Sequence, residues 1–176
     1  MKDYILFIPP LAVADKKARD WSAKEARIYY DWFISVKDYR IEYLLTVIDE
    51  TLRFSPEADL KRIGETITLL LFHQPFSERK DNKLIITNMG LALVADFALL
   101  ISMLIMKKND KISWKIVKRP KRDISYNLPA MFGFPIIQHI ELIGASVANA
   151  KAILAGMKTS SVWVEMYRYA IDLIDQ

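Results

Sequence analysis

Between Leu84 and Met106 the chain runs for 23 residues with a single charge, Asp96. A segment of that length can span a bilayer, and Lys107 and Lys108 follow it where cytoplasmic anchors stand in membrane proteins. Against a span, an aspartate at mid-helix costs roughly 2.5–3.5 kcal/mol on insertion scales, and Asn88 adds to that. The other helical segments carry apolar stripes on one face and charges on the other, so their stripes need something to pack on. A helix that is apolar all round is also what the centre of a bundle looks like. The segment is therefore expected to be a central core helix, with no membrane partner. Gly90, Ala92, Ala95, Ala98 and Ser102 recur along it and would let neighbouring backbones approach closely.

A carboxylate in such a helix must be paired or protonated, because an isolated interior charge costs several kcal/mol even after relaxation. Arg40 is the expected partner of Asp96 in a structural ion pair. It shares a helical face with Tyr43, Leu44 and Val47 and so points toward the core side. Tyr29 and Tyr30 are the alternative donors. The competing reading, a general acid or base of raised pKa, calls for a second titratable group in a pocket. The sequence names none, so no catalytic residue is assigned.

The flanking segments have clear signals. "SAKE" from Ser22 is a capping box, followed by a stripe of Ala26, Tyr29, Tyr30, Phe33 and Val36. "SVKDYR" is expected to bend or break this helix before the stripe resumes with Ile41, Leu44, Leu45, Ile48 and Leu52. Ser55 and Pro56 start a second helix, with Leu60, Ile63, Ile67, Leu70 and Leu71 as its buried face. "HQPFSERKDNK" reads as a polar loop, and the central helix is expected from Leu84. "ISWKIVK" alternates, with Ile112, Trp114 and Ile116 on one side, as a half-buried strand does. A second strand is expected over Ala130–Gln138, then helices over Glu141–Met157 and Ser161–Ile174. The result is an α+β fold, a mostly helical single domain of residues 1–176 packed around the central helix, with a small antiparallel hairpin or sheet.

Charge is the second constraint. The chain nets +4, yet eight basic residues and one acid lie between Lys107 and Arg122, leaving the remainder at about −3. The basicity is local. Lys115, Lys118, Arg119, Lys121 and Arg122 form a candidate basic patch able to contact phosphates or an acidic protein. Base stacking would need outward-facing aromatics, and the alternation puts Trp114 on the core side. Lysines also guard edge strands against aggregation. With no cysteine, thiolate metal sites and cysteine nucleophiles are absent, which fits a cytoplasmic location. The N-terminal apolar run is too short for a secretory signal and is broken by Pro9 and Pro10. His73 and His139 lack a metal-binding spacing, and no phosphate-binding glycine loop occurs. No metal or cofactor is expected.

Four segments, "YYDWFISVKDYRIEYL", "LALVADFALLISMLI", "ISWKIV" and "ISYNLPAMFGF", resemble small bacterial proteins of the toxin-immunity type. That group carries a "D-x-G" followed by a small residue and Glu. Here the corresponding positions read Ala98, Ser102 and Met103, so the polar part of the pattern is missing. The resemblance implies a compact non-catalytic protein that binds and neutralises a partner. A basic patch suits an acidic toxin surface and does not suit mimicry of nucleic acid. Protein binding, with an immunity role, is the expected function. The alternative is nucleic-acid binding through the 107–122 segment.

Overall fold

In the computed structural model, which describes residues 4–176, the fold is α+β and 54% helical. A short helix α1 (Leu11–Ala14) precedes α2 (Ala23–Val47) and α3 (Pro56–Leu71). A two-stranded antiparallel ribbon, β1 (Ser77–Lys80) and β2 (Lys83–Ile86), leads into α4 (Asn88–Met106). The second sheet has the order β3 (Ser113–Ile116), β4 (Pro129–Phe132), β5 (His139–Ile140), antiparallel throughout. Helices α5 (Leu142–Leu154) and α6 (Ser161–Ile174) complete the chain.

Helix α4 is the centre: 14 of its 19 residues are buried, and α2, α3, α5, α6 and β2 all pack on it. Its apolar surface is therefore covered by protein on nearly every side. Phe97 meets the Trp163 indole of α6 edge-on at 5.4 Å. Trp163 in turn lies against Gly64 of α3, where any Cβ would come within 2.7 Å of its Cδ1. Its indole N–H donates to Thr68 at 3.0 Å. Gly64 thus lets α3 and α6 approach over a fully buried indole, which alone contributes about 2–3 kcal/mol of burial.

Five expectations need correction. Helix α2 does not break at "SVKDYR" but runs for 25 residues. Its inner face continues through Phe33, Arg40, Ile41 and Leu44, all buried, so the gap in the apolar stripe is where a buried cation sits. Nor does that helix reach Leu52. Asp49 takes a left-handed φ of 52°, and the Glu50 amide bonds back to Leu45 O at 2.9 Å, which closes the helix in a Schellman end.

The central helix begins at Asn88, not Leu84, and "HQPFSERKDNK" is not all loop. Asp81 and Asn82, both left-handed (φ 48° and 60°), make the two-residue turn that favours a hairpin. β-Branched Ile85 and Ile86 follow in β2, and Thr87 caps α4 by accepting from Gly90 N. The second strand stops at Phe132 rather than Gln138. Gly133, at φ 111°, turns the chain tightly over the Lys111 carbonyl, and β5 follows as a separate strand.

Candidate functional site

The β3–β4 connection carries the basic patch. β3 pairs with β4 from Ser113↔Phe132 to Ile116↔Pro129. Beyond it, Val117 N donates to Leu128 O (3.0 Å) and Asn127 N to Val117 O (2.8 Å). Two residues thus oppose one, with Asn127 left-handed at φ 69°, which is a β-bulge that twists the hairpin. The Asn127 amide Nδ2 reaches back to the carbonyls of Ala18 (2.8 Å) and Trp21 (2.9 Å) and pins the loop base to the N-terminal segment. At the tip, Asp123 accepts from Ser125 N (2.8 Å) and lies 3.5 Å from His139 Nε2 of β5. The loop is tied at both base and tip.

Lys115, Lys118, Arg119, Lys121 and Arg122 are all exposed, and among the described residues none forms an ion pair. Lys115 projects from the outer face of β3; the other four lie in the loop. Ile124 stands among them at 87% exposure. Sequence reading passed over this isoleucine because no periodicity distinguishes it. Trp114 is buried and packs edge-on against Phe33 at 4.9 Å, while Tyr126 is half-buried. No fully exposed aromatic therefore accompanies the cations of the loop.

Asp96 is fully enclosed, 0% exposed. Arg40 meets it bidentately, Nε to Oδ1 at 2.7 Å and Nη2 to Oδ2 at 2.6 Å. The third donor is Tyr4, whose hydroxyl reaches Oδ2 at 2.6 Å. Tyr29 and Tyr30 do not take this role: Tyr30 OH donates instead to Trp114 O at 2.7 Å. Tyr4 precedes every helix and carries no pattern that would have singled it out.

Arg40 lies 4.3 Å from the centroid of the Phe7 ring, and its Nη1 donates to Leu6 O at 3.4 Å. The pair therefore also fastens the N-terminal segment to α2 and α4. Burial pushes the Asp96 carboxyl up to about 6, against the opposing pull of Arg40 and Tyr4. Burial and the adjacent carboxylate raise the Tyr4 phenol as well. Both carboxylate oxygens are engaged and enclosed, which suits fastening.

A second buried acid, Asp59, stands in the first turn of α3, where an acid ordinarily only complements the positive helix end. Its carboxylate instead accepts from the amides of Arg53 and Phe54 (3.1–3.4 Å) and from Arg62 (3.1 Å), folding the α2–α3 loop over the helix start. Arg62 also pairs with Glu50. A hollow of about 540 Å³ lies between the N-terminal segment, α2, α4 and α5, and Phe7, Tyr29, Trp32, Ala92 and Ala95 contribute to its walls. Among the described residues, no three His, Asp or Glu side chains cluster so as to hold a metal ion.

No family model, curated protein or solved structure matches this chain.

Proposed function

We propose that this is a non-catalytic protein-binding domain whose β3–β4 tip docks on an acidic protein surface. The observation that carries this reading is Ile124, 87% exposed in a loop with four cations that form no ion pair among the described residues. Phosphate recognition needs the cations but gains little from an exposed branched alkyl group. An apolar anchor ringed by charge is the pattern of a protein interface, with a dehydrated centre and a polar rim. The bulge, the Asn127 clamp and the Asp123 contacts hold the loop ordered before binding, which lowers the entropy lost on association. The four-segment resemblance to immunity-type proteins supports a bacterial toxin as the partner, neutralised in the cytoplasm.

Poly-L-glutamate and a short DNA duplex, titrated at equal ionic strength, separate the readings. The proposal expects poly-L-glutamate to bind at least as tightly as the duplex. It also expects charge reversal of Lys118, Arg119, Lys121 and Arg122 together to abolish that binding without lowering the melting temperature. Duplex binding that is clearly tighter, with a steep salt dependence removed by the same reversal, would favour nucleic acid instead.

A further inference from the structure

The basic tip continues into a trough along the free edge of β3, and the backbone phase of the hairpin shows which groups face it. At the bulge, both the N–H and the C=O of Val117 bond toward β4. Alternation then turns the N–H and C=O of Lys115 and Ser113 toward β4, and those of Trp114, Ile116 and Lys118 away from it. Pro129, opposite Ile116, agrees with this phase because that position has no amide to give to β3. Among the described residues the outer edge is capped only at Trp114, whose carbonyl accepts from Tyr30 of α2. From Ile116 onward, the outward backbone groups have no hydrogen-bond partner among the described residues.

Two grooves flank this open edge, of about 350 and 400 Å³, and Arg27, Ile116 and Lys118 border both. Lys115, Phe132 and Tyr30 complete the first; Ala23, Ala26 and Tyr126 belong to the second. The acid Asp31 beside the trough is already paired with Arg27 at 2.9 Å. Lys115, on the first groove, and Lys118, on both, thus remain without an ion-pair partner among the described residues.

We infer that this trough takes an extended acidic peptide as an additional strand on β3, hydrogen-bonded to Ile116 and Lys118, with its carboxylates on Lys115 and Lys118. Strand addition supplies affinity through main-chain bonds and selectivity through the flanking side-chain grooves. The inference rests on the protein-binding reading of the tip and names the form of the bound segment.

An end-blocked hexapeptide alternating glutamate and valine is the probe, with poly-L-glutamate as the control for the tip. The peptide is expected to bind wild type and to slow amide exchange at Ile116 and Lys118 by at least about tenfold. Ile116→Pro removes an edge amide outside the β3–β4 ladder, where proline is tolerated. It should lose the peptide while retaining poly-L-glutamate. Arg27→Glu, on the opposite wall, should weaken the peptide without touching the sheet, which covers the case in which the proline variant does not fold. Peptide binding that leaves the Ile116 and Lys118 amides unprotected and survives both substitutions would overturn strand addition while leaving the tip reading in place. Failure of both probes to bind wild type would remove the tip reading and this inference with it.

Discussion

Asp96, Arg40 and Tyr4 show how one buried charge organises three separate pieces of chain. The carboxylate is costly to bury, and its partners offset that cost only while both remain. Asp96→Ala should lower stability by roughly 3–5 kcal/mol, because it strands the Arg40 cation and the Tyr4 hydroxyl. Replacing both charges, as in Asp96→Leu with Arg40→Met, should cost far less than the sum of the two single changes, a difference that chemical denaturation measures directly. Burial places the folded pKa of Asp96 at about 6, above its unfolded value near 3.8. The folded state therefore holds this proton more tightly. The stability it contributes is fully present below about 4 and is lost as pH rises through about 6. Carboxyl NMR of Asp96 should show the midpoint, and the doubly substituted protein should lack that part of the pH profile. The pairing of Asp96 with Arg40 could be read from sequence because a lone acid in an apolar helix demands a cation on an inward face. Tyr4 could not, since nothing in a coil segment of five or six residues fixes which way a side chain points.

At the level of elements, the strong signals were those with a local physical cause. The Ser22–Glu25 capping box, the Ser55–Pro56 start and the apolar period of α3 form where their residues call for them, and α6 spans the expected Ser161–Ile174. Long-range pairing was less legible. The β1–β2 ribbon is built from charged residues on β1 and is recognisable mainly by the left-handed Asp81–Asn82 turn, which a search for apolar alternation overlooks. The gap at "SVKDYR" reads as a helix break because the inward position there is filled by the cation Arg40 instead of an apolar residue. The bulge at Asn127 is the element that aims the basic loop. Asn127→Gly keeps the left-handed backbone and loses only the two side-chain bonds. Asn127→Ala loses the bonds and adds a left-handed penalty of about 1–2 kcal/mol. Urea unfolding should therefore rank the alanine variant below the glycine variant by about that amount, and both below wild type.

Taken whole, the molecule separates its apolar centre from its charge. Helix α4 and its neighbours hold the core, and the cations of the β3–β4 hairpin stand clear of it around Ile124. The local excess of positive charge was visible in the sequence, but the exposed isoleucine and the open strand edge arise only from the hairpin's twist and register. The central claim is that the tip recognises acidity together with an apolar group, as a protein surface presents them. A random copolymer of glutamate and tyrosine, compared with poly-L-glutamate at equal charge, tests this most directly. Wild type should bind the copolymer more tightly by about tenfold, the equivalent of partly burying one isoleucine, and Ile124→Ser should erase the preference while leaving poly-L-glutamate binding unchanged. Equal affinity for the two polymers in wild type, or a preference that survives Ile124→Ser, would contradict the account.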